Sequence, residues 1–505
     1  MNSKVKGIVI CAVAAVCLGA MLLVLKFIPK ADNNSSSNTS VIDSDENESK
    51  ISLTDSVAED LDKTNVKSVE LHNSNGEVKI VQTSVGGDEW EIKELSGINQ
   101  NQNIYTSVAT TLCSLAAKDV VEENASDLSK YGLDKVASYF TVTFHHDGKD
   151  TQKVFLIGDE SPESGYYYVC EAGSTKVYTV SVSSLSYFFY AKEDFISLAM
   201  LSQMPSDADE NYFTSLKVTQ KSKDYDIVFK NAPDDTTAMV SAQVMTSPIF
   251  SYLDVTNSSA VTHGMWGLAA QRAVVAKPTE ADFEKYGLKS PSAVADLKCK
   301  DGEYILKVGN CEYVKDSDGE NTETIDGYYV YLEGVEGIDV IFYCTADNIP
   351  WASFDPSDVI SGLMTTNNII TLKDVKVKTS DIDITYDITV SEKDDEGNQD
   401  IEKVLENSKE VDAEVWKGWY QLLIQCPTTE IYFTEPAGKT ADVTIDIDLL
   451  DGGKDKMEFY KQTDRRYIVK LNGKTSFRIE SGWIDAIIGG IEKVRNGEEV
   501  DANTY

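Results

Sequence analysis

Histidine and positive charge are scarce in this chain, and each shortage excludes a class of chemistry. Its 505 residues hold only 4 His, and 46 Lys and Arg stand against 83 Asp and Glu. Four of those basic residues lie in Met1–Lys30, which has no acid, so the remainder sets 42 bases against 83 acids, a net of −41. Phosphate backbones and anionic headgroups repel such a surface, so no nucleic-acid partner is expected. The histidines are dispersed. His72 falls at a hairpin turn, His145 and His146 are adjacent on a strand, and His263 stands alone in an inserted segment. Neighbours on a strand point to opposite faces, so His145 and His146 do not naturally share a metal. Neither His-Glu-x-x-His nor Gly-x-Ser-x-Gly occurs. No residue pattern calls for a cofactor, a metal or a catalytic group, and the chain is expected not to be an enzyme.

Cysteine is also used sparingly. Of 8 Cys, Cys113, Cys170, Cys299, Cys311, Cys344 and Cys426 lie beyond the N-terminal region, with no Cys-x-x-Cys pair. A disulfide framework is not required at this length. Cys113 and Cys426 fall on or at the end of apolar helical stripes and are expected as small buried hydrophobes. Cys299 and Cys311 flank a strand, and their pairing is left open.

Long apolar runs are missing except for one. Residues 7–28 form a segment of 22 residues without charge apart from Lys26. At about 1.5 Å per residue this spans on the order of 33 Å, enough to cross a bilayer and longer than a signal-peptide core. The expectation is an uncleaved single-pass anchor in the cell membrane, N-terminus cytoplasmic, with the bulk of the chain extracytoplasmic. Residues 1–6 are then a cytoplasmic tail, and residues 29–62, rich in Asn, Ser, Asp and Glu, a flexible tether.

What is present is an internal correspondence. Tyr131-Gly132-Leu133 and Tyr286-Gly287-Leu288 lie 155 residues apart. Leu115-Ala116-Ala117 and Val120-Val121 precede the first, and Leu268-Ala269-Ala270 and Val274-Val275 the second. Ile157-Gly158-Asp159 answers Val308-Gly309-Asn310, and Gly165-Tyr166-Tyr167 answers Gly327-Tyr328-Tyr329. Order preserved over this length indicates a duplicated unit. Alternating apolar residues separated by Asp-Gly and similar turns predict antiparallel meanders. Helical spacing predicts helices around Ile104–Ala116, Val240–Leu253, Asp412–Gln425 and Ser481–Arg495, and a helical segment over about Ser183–Tyr190 is expected to close the first unit. The expected fold is therefore α+β: three tandem units, each an antiparallel β-meander with a packed helix. They occupy residues 63–205, 206–366 and 367–505, the last divergent.

The Tyr-Gly-Leu residues are expected to be structural, with Gly permitting a sharp turn and Tyr and Leu anchoring it. Tyr167 and Tyr329, on strands at matched positions, are the candidate ligand-facing rings. Asp316, Asp318 and Glu320 resemble calcium ligands, but an EF-hand loop needs Gly at its sixth position and Gly319 is fourth when Asp316 is first, so a solvated hairpin loop is expected. Asn472-Gly473-Lys474-Thr475 resembles the end of a phosphate loop, yet Ile468 occupies the place of the required earlier Gly, and a hairpin turn explains the rest.

Together the Leu-Ala-Ala, Val-Val and Asp-Leu-x-x-Tyr-Gly-Leu run, the Ile-Gly-Asp, the Gly-Tyr-Tyr-Tyr-Val and the apolar N-terminus resemble the bacterial domain of unknown function 4340, over roughly Val66–Met364. Members are often encoded beside ABC transporters of the gliding-motility type. The resemblance implies a membrane-anchored, non-enzymatic accessory or binding component whose partner is an ABC permease or another envelope protein. It carries over no catalytic residue. A surface module binding glycan or peptide is the alternative reading, and an uncharacterised hydrolase the second alternative.

Overall fold

Val66–Asn73 places Val66, Val69 and Leu71 in the core and turns through Ser74-Asn75 into Gly76–Gln82. Gly76 takes the positive φ of 119° that closes this hairpin. A hairpin also opens the other two large sheets, through residues 221–225 and 379–382 and without a glycine, in the computed structural model, which describes residues 51–53 and 63–501 apart from residues 85, 136, 137, 210, 233–239, 395, 396, 429, 437 and 439.

Three large antiparallel sheets result, of 8, 9 and 8 strands, and Ile51–Ser52 pairs with Ala116–Ala117 in a separate two-stranded sheet. In spatial order sheet 1 runs Trp90–Ile92, Gly76–Gln82, Val66–Asn73, Tyr139–His146, Lys149–Glu160, Tyr166–Glu171, Val177–Ser181 and Asp119–Glu122. Sheet 2 runs Ser251–Tyr252, Gln243–Ser247, Asp226–Asn231, Phe213–Gln220, Ala293–Cys299, Gly302–Lys315, Asn321–Glu333, Val340–Thr345 and Arg272–Ala276. Sheet 3 runs Lys409–Val411, Ile401–Glu406, Asp383–Val390, Leu372–Lys378, Val443–Leu449, Lys454–Thr463, Arg466–Leu471 and Lys474–Glu480. In each, the first long strand is central. A hairpin grows outward on one side and a four-strand meander on the other. The Val-Val segments form the outermost strand of sheets 1 and 2. In sheet 3 only Ile431 bridges to the last strand, at Phe477.

The α+β expectation is corrected by this arrangement, which is mostly antiparallel β. Among the described residues the α-helices are α1 (Gln102–Cys113), α2 (Val255–Thr262), α3 (Glu280–Lys285), α4 (Ala413–Ile424) and α5 (Ser481–Asn496). Only sheets 1 and 3 have a helix of three turns or more against them. The helix expected over Val240–Leu253 is instead strands Gln243–Ser247 and Ser251–Tyr252. Pro248 cannot sit inside a helix, and a short strand buried on both faces mimics helical periodicity. The closing helix expected near Ser183–Tyr190 is one 3-10 turn, Ser186–Phe189. The transmembrane helix expected at residues 7–28, like most of the tether, lies outside the described residues. Among those described, no helix is long and apolar enough to cross a membrane, so the structure gives no support to that part of the expected fold.

One hydrophobic core runs through all three sheets. At its C-terminal end α4 and α5 cross closely. A Cβ on Gly490 would lie 2.7 Å from the Trp419 ring, and Trp419 Nε1 donates to the Ile487 carbonyl at 3.0 Å. Gly490 is thus what lets the two helices approach.

Candidate functional site

The two Tyr-Gly-Leu segments form one geometry twice. In the first, Asp127 caps a 3-10 turn, Leu128–Tyr131, which Gly132 ends at φ 67°. In the second, Thr279 and Asp282 form a capping box on α3, and Gly287 lies at φ 76°. Each turn then presses its backbone onto the glycine of the facing strand. A Cβ on Gly158 would stand 2.0 Å from the Tyr131 carbonyl oxygen, and one on Gly309 2.2 Å from that of Tyr286. Asn310 N–H donates to the Tyr286 carbonyl at 2.8 Å. Leu133 and Leu288 are buried beneath. The Tyr-Gly-Leu and the Gly of Ile/Val-Gly-Asp/Asn are therefore two halves of one lock.

The tyrosine ladder is shifted by one residue from the correspondence expected in the sequence. Ile157 pairs with Val169, and Val308 with Val330, so Tyr168 is the counterpart of Tyr329 and Tyr167 that of Tyr328. A one-residue slip exchanges the two faces. Tyr167 lies on the core face, against Phe189 at 5.4 Å. Tyr329 lies on the outer face, against Tyr286 at 4.6 Å and Tyr343 at 5.4 Å. Tyr131 meets Tyr168 edge-on at 4.9 Å on the same outer face of sheet 1.

Around Tyr329 the outer face of sheet 2 carries a connected polar cluster. The Tyr329 hydroxyl donates to Glu312, and Arg272 Nη2 donates to the same carboxylate at 3.0 Å. The Arg272 guanidinium stacks 3.8 Å above the Tyr343 ring, whose hydroxyl donates to Asp326 at 2.6 Å. Gly327 is required here, since a Cβ would sit 2.3 Å from the Cys344 carbonyl and 2.7 Å from the Tyr343 ring. Burial, then Glu312, raises the Tyr329 pKa, and burial, then Asp326, raises that of Tyr343. Burial opposes the Arg272 charge, but Glu312 outweighs it and raises the pKa. Tyr331 is pushed up to about 12 by burial and its bond to Asp339. No sequence signal pointed to Arg272, Glu312 or Asp326, because the cluster joins four strands that only the sheet brings together.

The junctions between sheets hold the other concentrations of polar groups. A cleft of about 620 Å³ between sheets 1 and 2 is lined by Asn99, Met200, Leu201, Tyr304 and Gly334 among others. Between sheets 2 and 3 the carboxylate of Asp455, 2% exposed, accepts hydrogen bonds from Tyr252, Thr365, Asn367 and Asn472 at 2.8–3.0 Å. None of these donors carries a formal charge. Asn472-Gly473 is the two-residue turn of a hairpin, at φ 49° and 80°, and Lys474 beyond it donates to the Thr246 carbonyl at 2.5 Å. Asp316 Oδ1 accepts from the backbone N–H of Asp318 and Glu320, both at 2.9 Å, so it closes its own turn. His145 bonds Asp150 and His146 lies by Asp147. His263 is partly buried, and burial lowers its pKa. The six described cysteines are free, Cys299 and Cys311 included. Among the described residues, no group of three His, Cys, Asp or Glu side chains is placed to hold a metal ion.

Fold and surface define a chained array of antiparallel sheets held by backbone locks. Residues 90–291 match the family model for a domain of unknown function, DUF4340, so this stretch of the chain is similar to that family. The match begins in the third strand of sheet 1 and ends just past the second Tyr-Gly-Leu, a narrower span than Val66–Met364. No curated protein and no solved structure matches the chain.

Proposed function

We propose that this chain is a membrane-anchored, extracytoplasmic, non-enzymatic accessory or binding component of an ABC-transporter or envelope complex. The outer face of sheet 2 is its partner-binding surface. The observation that carries this reading is the Arg272–Glu312–Tyr329–Tyr343–Asp326 cluster, built on one sheet and missing from its counterpart. Sheet 1 has Asp119, Ser161, Tyr168 and Thr179 at the equivalents of Arg272, Glu312, Tyr329 and Tyr343. Aromatic rings with an arginine among them are typical anchors of protein interfaces. The apolar segment 7–28, the polar tether and the family's association with exporters support the rest.

Crosslinking the tagged full-length protein in cells, followed by mass spectrometry of the membrane fraction, tests the proposal. An ABC permease or its extracytoplasmic partner is the expected adduct, and adducts confined to wall fragments would contradict it. The glycan- or peptide-binding alternative is favoured by the same rings. It predicts that Tyr329→Ala releases the protein from isolated cell wall while leaving membrane adducts intact.

A further inference from the structure

Each large sheet is preceded by an extended segment, here called a strap, that pairs in the same way with a short stretch of chain outside the sheet's own ladder. Ser52 pairs with Ala116, Ala199 bridges to Ala269, and Leu363 bridges to Pro427. The next residue in each case, Leu53, Met200 or Met364, donates its N–H to the carbonyl of Leu115, Leu268 or Cys426, at 2.9, 2.9 and 3.2 Å. Leu-Ala-Ala is thus a strap-binding segment, and Cys426-Pro427-Thr428 is its form in sheet 3. The straps of sheets 2 and 3 are the ends of the sheets before them. The strap of sheet 1 is Ile51–Leu53.

One core-face position meets each strap. Val69, Leu216 and Val375 are each the fourth residue of their central strand. Their ladders lead through Val142, Leu297 and Ile447 to Lys153, Tyr304 and Asp455. Lys153, with its side chain 7% exposed, donates to the Leu53 carbonyl at 3.2 Å and pairs with Glu171 at 3.2 Å. Tyr304 lines the cleft that also holds Met200 and Leu201. Asp455 accepts from Thr365 and Asn367, just beyond Met364.

We propose that Lys153, Tyr304 and Asp455 are the selectivity positions of three strap sockets, and that the socket of sheet 1 is a docking site for the extended segment Ile51–Leu53. A buried ammonium needs acceptors and a buried carboxylate needs donors. The Lys153 socket takes a backbone carbonyl. The Asp455 socket takes Thr and Asn side chains. Exchanging the two straps sets donors against Lys153 and leaves Asp455 short of donors, so each socket rejects the other's segment. Ile51–Leu53 is thereby stitched to sheet 1. This holds whether or not the outer face of sheet 2 binds a partner.

Amide hydrogen exchange on the full-length protein in detergent tests it, read on peptides containing Leu53, Met200 and Met364. All three amides are expected to be protected. Lys153→Met is expected to speed exchange at Leu53 at least about tenfold and leave the other two unchanged. Asp455→Asn acts likewise on Met364 alone, and Lys153→Arg restores Leu53. Leu53→Asp, which alters the strap and not the sheet, releases the same peptide as Lys153→Met. Should Asp455→Asn fail to fold, Tyr252→Phe removes one donor and shifts Met364 less. A Leu53 amide exchanging at the free-peptide rate in the unaltered chain would overturn the proposal. So would an unchanged Leu53 in Lys153→Met, or a uniform rise across all three straps.

Discussion

Sheets 1 and 2 share a strand order and a lock, yet their outer faces have diverged. Where backbone meets backbone, at Gly158 and Gly309, nothing has changed, because a side chain of any size would collide with the Tyr131 or Tyr286 carbonyl. Where side chains face outward, Asp119 has become Arg272 and Thr179 has become Tyr343. Thr179 even leaves its hydroxyl buried without a partner, whereas the Tyr343 hydroxyl bonds Asp326. Positions fixed by a backbone-to-backbone contact are alike, and side chains on the outer faces have diverged even where, as at Tyr343, they are buried.

The lock offers the hardest test of that contrast. Gly158→Ala and Gly309→Ala are each expected to cost about 3 kcal/mol or more, read as a lowered urea midpoint. Tolerance of either would mean that the lock is not what holds the sheets. Next come the diverged positions. Tyr343→Thr, giving sheet 2 the residue of sheet 1, should cost roughly 2–4 kcal/mol from the lost ring and the unpaired Asp326. Thr179→Val should be neutral or slightly stabilising, since it removes an unsatisfied hydroxyl.

A smaller effect depends on pH. Asp296 on sheet 2 stands where sheet 1 has Thr141, and one of its carboxylate oxygens is buried without a partner. Burial raises its pKa above the ordinary value. A carboxyl whose folded value exceeds its unfolded one opposes folding once it ionises. Asp296→Asn is therefore expected to gain about 1 kcal/mol at pH 7. The gain should shrink as pH falls through the folded value and vanish below the unfolded value of about 3.9. A gain that persists at lower pH would assign it to packing. Smallest is Arg272→Ala, whose half-exposed pair with Glu312 should cost under about 1 kcal/mol of stability. A larger loss would make the cluster a structural brace and remove the case for a binding face.

Turn chemistry and strand alternation made most of the sheets legible in the sequence. Asn73–Gly76, Asp147-Gly148 and Asn472-Gly473 each sit at a hairpin. The strands from Tyr139 to Val180 needed only the period of two. Helix spacing misled at Val240–Leu253, where a doubly buried strand copies it and Pro248 forbids the helix. The tyrosine match failed for a different reason. Tyr166-Tyr167-Tyr168 aligns equally well in two registers, and only the ladder through Ile157 and Val308 separates them. The straps escaped notice because Leu53, Met200 and Met364 share geometry and not sequence. Among the structural parts, the lock alone combined near-identical residues with fixed order, and so its outline could be read directly.

The most direct measurement is a paired photo-crosslink in cells, with the reactive group placed at Tyr329 in one full-length protein and at Tyr168 in another. The account predicts adducts to an ABC permease or neighbouring envelope protein from Tyr329 and few from Tyr168. Equal labelling from both faces, or no membrane partner from either, would contradict it.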